Sequence, residues 1–284
     1  MESTTRDQSD DKTKKDENGE ISSRQAEGMA NALYAKLRSD RAAGLPLRDE
    51  DAARLAGCAA FRFGVGDALA GWEIGEGPLV YLVHGWGGRG AQMSGLAHLL
   101  AGHDFRVVFF DAGSHGESGD GEMGFDRFME DAAALQHHIG QTPYAWVGHS
   151  AGALAIMRGR RTHGIRADRY ACLAAPFLPY VPIERMRAMG APEPVLDRIK
   201  PMIADQFSCS WTDLENGMAW ERDADAPLMI AYDSDDKVVR PGDGDRIARI
   251  WPEAHLVRTE GHGHNRILGS EAVIHDLLDH LSPH

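Results

Sequence analysis

The sequence predicts an α/β fold: a mostly parallel, eight-stranded sheet with helices on both faces. Three observations predict it. From residue 59 onward, short apolar runs alternate with longer stretches of helical periodicity. The runs are continuously apolar, the pattern of strands buried on both faces. Glycines and charged residues gather at the carboxyl ends of the runs, where open α/β sheets bind their ligands.

The elements follow in order. Residues 1–24, opening MESTTRDQSDDKTKKDENGE, are charged and almost free of apolar residues, and they read as a disordered polar tail before a folded domain over 25–284. An amphipathic stretch from Gln25 to Ala56 carries Met29, Leu33, Tyr34 and Leu37 at helical spacing. AAFRFGV and ALAGWEIG are two early strands, and PLVYLVHG is a fully apolar third, followed by a helix over residues 90–101. RVVFFDAG is the next strand, and FDRFMEDAAALQHHIG a helix with Phe128, Ala132 and Leu135 on one face. YAWVGHS runs directly into the helix AGALAIMRGRR, and RYACLAAP is another strand. PLMIAYDSDD and AHLVRTEG complete the sheet, followed by the helices GDGDRIARIW and SEAVIHDLLDHL. Residues 177–225 break the alternation with a Pro-punctuated helical segment rich in Met and aromatics, which reads as a lid inserted over the strand ends. There is no internal repeat.

Composition narrows the function classes. The 284 residues are 43% hydrophobic and 26% charged, enough for one sizeable core. No run of apolar residues is long enough to span a bilayer, and the N-terminal segment has no apolar core of a secretory signal. A formal net charge of -13 repels phosphate backbones and argues against a nucleic-acid partner. Cys58, Cys172 and Cys209 form neither a disulfide framework nor a zinc pattern, so a reduced cytoplasmic setting is expected.

The chemistry-bearing residues sit at the strand ends. Gly148-His149-Ser150-Ala151-Gly152 lies between an apolar strand and a helix, the context of a nucleophile elbow. The pentapeptide alone is also compatible with a tight turn and a bystander serine. His84-Gly85-Trp86-Gly87-Gly88 ends an earlier strand, and its glycines allow a backbone N–H to face a substrate oxygen. An oxyanion hole would then form from the amides of Trp86 and Ala151, with His84 itself structural. Three carboxylates, Asp233, Asp235 and Asp236, follow the seventh strand; the spacing to the Val238 pair selects Asp236, with Asp235 as runner-up. TEGHGHN, residues 259–265, follows the last strand and supplies two histidines, which read as a metal pair, a polar turn or the site of a catalytic base. Chain order favours the base, with His264 in that role and His262 a bystander. A metal site lacks further ligands at suitable spacing, and Gly119-Asp120-Gly121-Glu122-Met123-Gly124 is a poor dinucleotide loop because its acids would repel a pyrophosphate. No cofactor or metal is therefore expected. His137-His138 reads as a surface pair on a helix.

Together HGWGG, DAGSHGES, GHSAG, DDKVV and GHGH resemble the α/β-hydrolase superfamily from about residue 58 to the C-terminus. HGWGGRG, AAPF and TEGHGHNRIL are similar to a group of bacterial members with a short helical lid. The resemblance implies a serine hydrolase acting on an ester, thioester or amide of a small acyl compound, with Ser150, His264 and Asp236 as the triad. A serine at the nucleophile position argues against the aspartyl-ester chemistry of haloalkane dehalogenases and epoxide hydrolases. Perhydrolysis with the same triad and a non-catalytic binding module on the same fold are the rival expectations. Met186, Met189, Met202, Phe207 and Trp211 of the lid either line an acyl pocket or simply pack on the core. Arg89 either meets an acidic substrate group or is solvated. One departure concerns the family loop D-x-P-G-H-G-x-S, which reads Asp111-Ala112-Gly113-Ser114-His115-Gly116-Glu117-Ser118 here and is expected to be more flexible.

Overall fold

The computed structural model describes residues 21–39, 47–222 and 226–282. The tail expected at the N-terminus lies, up to residue 20, outside them. The first elements among the described residues are helix α1 (Ser23–Ser39) and then α2 (Asp49–Ala56). The amphipathic stretch read from the sequence thus holds two helices among its described residues.

Strands β1 (Ala59–Phe63), β2 (Leu69–Ile74) and β3 (Leu79–Val83) follow. A 3-10 turn over Gly90–Met93 leads into α3 (Ser94–Ala101), so the helix expected from residue 90 starts a turn later. Then come β4 (Arg106–Asp111), α4 (Phe125–Ile139), β5 (Ala145–His149), α5 (Ala151–Thr162) and β6 (Arg169–Leu173). Helices α6 (Val181–Ala188), α7 (Glu193–Asp205) and α8 (Trp211–Glu215) separate β6 from β7 (Leu228–Asp233). The chain closes with α9 (Asp243–Ile250), β8 (His255–Thr259), the one-turn helix α10 (Gly263–Arg266) and α11 (Glu271–Leu281).

The strands form one sheet in the order β1-β2-β4-β3-β5-β6-β7-β8. β2 is antiparallel to both its neighbours, and every pair from β3 to β8 is parallel. Alternation along the strands fills two cores. Tyr81, Val83, Val108, Phe110 and Trp146 pack with Phe128, Leu135 and Leu154 of α4 and α5. Val80, Leu82, Val107, Phe109 and Val147 pack with Leu96 and Leu100 of α3 and with Leu277 and Leu281 of α11. This two-sided burial is why the strands read as unbroken apolar runs. It also brings the carboxyl ends of β3, β5, β7 and β8, with the loops they carry, to one edge of the molecule.

α1 is held by polar contacts to three different segments. Arg38 pairs with Asp126 and Glu122, both at 2.5 Å. Tyr34 Oη accepts from Gln206 Nε2 at 3.0 Å, and Ser23 Oγ from Arg198 at 2.8 Å. Ala26 and Ala30 are fully buried within the core that includes α7. The GDGEMG stretch braces this helix through Glu122. It also holds the neighbouring loop, since Ser114 Oγ donates to the Gly121 carbonyl at 2.6 Å. The exposed His138 ring stacks on Phe61 with centroids 5.6 Å apart.

Candidate active site

Ser150 sits on the turn between β5 and α5 with φ 53° and ψ -122°. A non-glycine residue in this region is strained, at a cost of order 1–3 kcal/mol that the surrounding structure must offset. The flanking glycines make the turn possible. A Cβ on Gly148 would lie 2.5 Å from Ala153 Cα, and one on Gly152 only 2.3 Å from the His84 carbonyl oxygen. A Cβ on Gly85 would lie 2.9 Å from Ser150 Cβ, so the loop after β3 approaches the serine closely.

Two side chains from later in the chain reach this turn. Ser150 Oγ donates to His264 Nε2 at 3.0 Å, and His264 Nδ1 donates to Asp236 Oδ2 at 2.7 Å. His264 lies in α10 rather than in an open loop. The Asp236 side chain is fully buried, and its Oδ1 accepts from the amides of Val238 at 2.7 Å and Val239 at 2.9 Å. Asp235 is placed elsewhere: its carboxylate accepts from the Gly261 amide at 3.1 Å. His262 contributes its backbone amide to Asp233.

Asp233, buried at the end of β7, ties the acid turn to the histidine segment. Burial alone would raise its carboxyl, but hydrogen bonds from Gly263 N–H, Thr259 Oγ1, Asp235 N–H and His262 N–H bring it down to about 2. His149 donates from Nε2 to the His264 carbonyl at 2.9 Å; burial, followed by the neighbouring His264, pushes it down to about 4. His84 is buried, and desolvation followed by His115 holds it well below the usual histidine range. It donates from Nδ1 to the Gly85 carbonyl and accepts the Ala112 amide on Nε2, so it shapes the loop after β3. His115 accepts the Gly87 amide at 3.2 Å and holds the next part of the same loop.

The Asp111–Ser118 loop is tightly bonded despite its departure from the family pattern. Ser114 occupies the left-handed region at φ 61°, where the family has glycine. Asp111 accepts the amides of Gly90 and Glu117, while burial raises its carboxyl to about 6. Ser118 Oγ donates to the Asp111 carbonyl at 2.6 Å and accepts the Ala70 amide. The added flexibility expected of a Gly-Ser pair is opposed by these bonds.

Ser150 and His264 open into a cavity of about 600 Å3. Trp86, Phe125, Pro179, Val181, Met186 and Val238 supply much of its apolar wall. Met186 and Met189 line it as the sequence suggested, but Met202, Phe207 and Trp211 do not. Phe207 is fully buried behind the cavity, its ring 4.9 Å from that of Phe125. In their place stand Met29, Leu33, Lys36 and Leu37 of α1, a wall that sequence reasoning missed. Their spacing marked one helix face, but not what that face covers. Arg89 lines an adjoining cavity with Arg54, His262 and Arg266, separated from the first by Gln92 and Asn265. Among the described residues, His275, Asp276 and Asp279 of α11 are a surface group with metal-ligating spacing, and none lines the Ser150 cavity. No helix among the described residues is long and apolar enough to cross a membrane.

Known proteins place this architecture. A family model described as Serine aminopeptidase, S33 matches residues 77–205. A non-heme haloperoxidase from Rhodococcus erythropolis is 27% identical over 147 residues, which are 51% of this chain and 54% of that protein. A pimeloyl-(acyl-carrier protein) methyl ester esterase from Methylococcus capsulatus is 37% identical over 87 residues, 31% of this chain and 33% of that one. The chain thus spans about half or less of these relatives' length. An α/β-hydrolase fold protein from Burkholderia ambifaria superposes with a TM-score of 0.57 at 21% identity, covering 79% of this chain and 97% of that one. The chain has the α/β-hydrolase fold. Its matches to the family model and to these relatives are similarities over part of the chain.

Proposed function

We propose that the protein is a serine hydrolase that cleaves an ester, thioester or amide of a small, mostly apolar acyl compound through an acyl-enzyme on Ser150. The observation that carries this reading is the hydrogen-bonded chain Ser150–His264–Asp236 opening into the apolar cavity. His264 Nε2 takes the proton as Ser150 Oγ attacks the acyl carbon, and Asp236 holds the other ring nitrogen protonated and stabilises the imidazolium. The developing oxyanion is met by the amides of Trp86 and Ala151, neither of which has an acceptor among the described residues. His264 then returns the proton to the leaving group, and water activated by the same imidazole releases the acyl product. α6, α7 and α8 act as the lid of a single domain, in a cytoplasmic setting.

A second reading has support of its own. Peroxide in place of water would give a peracid from the same acyl-enzyme, and one of the relatives is a haloperoxidase. Labelling with a fluorophosphonate probe tests the shared step. Wild type should label covalently, and Ser150→Ala should not. Folded wild type that fails to label would remove the hydrolase reading and favour a binding module. Acetate with peroxide in place of an ester then separates the two activities.

A further inference from the structure

The mouth of the Ser150 cavity combines apolar surface with unpaired positive charge. Among the described residues, the only charged side chains lining the cavity apart from the histidines are Lys36 of α1 and Arg185 of α6. Both are cations, in a chain with 43 acidic residues against 30 Lys and Arg. Among the described residues neither is paired with a carboxylate. Their neighbours are: Arg38 on α1 holds Asp126 and Glu122, Arg187 on α6 holds Glu193, and Arg240 holds Glu184. Local acids thus neutralise these arginines, while Lys36 and Arg185 have no carboxylate partner among the described residues.

Helix geometry aims both at the same space. Lys36 lies three residues after Leu33 and seven after Met29, on the face of α1 that lines the cavity. Arg185 lies four residues after Val181 and four before Met189, on the lining face of its own segment. Met29 is 41% exposed and Met189 76%, and they are two of the three exposed large hydrophobic side chains among the described residues. Apolar rim and free cations together match an amphipathic anion. Ser150 is buried whereas Lys36 and Arg185 are exposed, so the charge belongs at the end of the substrate remote from the reacting carbonyl.

Resting on the serine-hydrolase reading, we infer that the preferred substrate is an acyl ester whose acyl chain ends in a carboxylate, held at the cavity mouth by Lys36 and Arg185. α1 and α6 are then the elements that select it.

The test compares 4-nitrophenyl monoesters of straight-chain dicarboxylic acids with 4-nitrophenyl esters of monocarboxylic acids of the same length. Wild type should show a higher kcat/KM for the anionic member of each pair. The ratio within a pair should fall about threefold in Lys36→Met or Arg185→Met, and roughly tenfold in the double variant, mainly through KM. Added salt should erode the wild-type ratio. Calorimetric binding of a straight-chain carboxylate and the alcohol of equal length to Ser150→Ala should show the same contrast without turnover. A wild-type ratio of one or below, a ratio unmoved in the double variant, or equal binding of carboxylate and alcohol would each overturn the inference. Loss of Ser150-dependent turnover on both esters would instead remove the underlying hydrolase reading. The calorimetric contrast judges the charge preference in either case.

Discussion

Asp236→Asn should lower kcat by roughly 10^4 while leaving KM and the fold nearly intact. The size follows from the two oxygens of Asp236. Oδ1 accepts two backbone amides, from Val238 and Val239, and Oδ2 accepts the His264 Nδ1 proton. An asparagine has one carbonyl for these three donors. Turning that carbonyl toward His264 would aim its NH2 at two amides and forfeit two buried hydrogen bonds, about 2 kcal/mol or more. The carbonyl therefore stays on the amides, and the NH2 faces His264. The histidine must then accept at Nδ1 and carry its proton on Nε2, the nitrogen that has to take the proton of Ser150. A 10^4-fold loss corresponds to about 5.5 kcal/mol of transition-state stabilisation. Steady-state hydrolysis of a 4-nitrophenyl ester, with circular dichroism and a urea midpoint as controls, measures it. Asp235→Asn is the internal comparison, because Asp235 accepts only the Gly261 amide, and it should stay within about threefold of wild type. Full activity in Asp236→Asn, or inactivation by Asp235→Asn, would refute the assignment of the acid.

Further outcomes follow from the same geometry. Gly152→Ala should destabilise the protein by about 1–3 kcal/mol or more in urea unfolding, because its Cβ would meet backbone at 2.3 Å. Gly28→Ala, in α1 with nothing within 4 Å, should instead stabilise by about 0.5–1 kcal/mol. Leu33→Trp should cut kcat/KM for the longest acyl esters roughly tenfold and move the optimum to shorter chains, whereas an unchanged chain-length profile would remove α1 from the wall. His149 stays neutral when folded down to about 4, below the ordinary value of 6.5 that the unfolded chain approaches. The unfolded state therefore binds the extra proton first, so this contribution is complete above about pH 6.5 and is lost as the pH falls toward 4. His149→Gln, which retains a donor for the His264 carbonyl, should remove a loss of order 3 kcal/mol across that window, and equal losses in the two proteins would contradict it.

Much of this protein is legible without coordinates, and for one physical reason: local geometry writes local sequence. Strands buried on both faces must be apolar throughout, so the central strands and their succession along the chain can be read directly. A turn that forces a serine to positive φ between packed backbones requires glycine on either side, which is why Gly148 and Gly152 mark Ser150. The order of serine, acid and histidine follows from which strand ends lie beside one another in such a sheet. Choosing between Asp235 and Asp236 was already less local, since both follow β7. What separates them is that Val238 and Val239 turn their amides onto one and Gly261 onto the other.

The cavity wall belongs to the tertiary structure alone. Helical periodicity shows that Met29, Leu33 and Leu37 share a face, but not that the face closes over a serine more than a hundred residues away. The same limit explains why the sequence left Phe207 and Trp211 open between lining a pocket and packing on the core; Phe125 stands against Phe207, and the cavity excludes both. Which apolar side chain meets a substrate and which meets another helix depends on how elements dock. Docking is set by shape and by distant pairs such as Arg38 with Asp126 and Tyr34 with Gln206. The sequence by itself determined the sheet, the strained serine turn and the chemistry gathered at the strand ends. Only the packing of α1 and α6 over those ends decided the size of the chamber, its apolar wall and the two cations at its mouth.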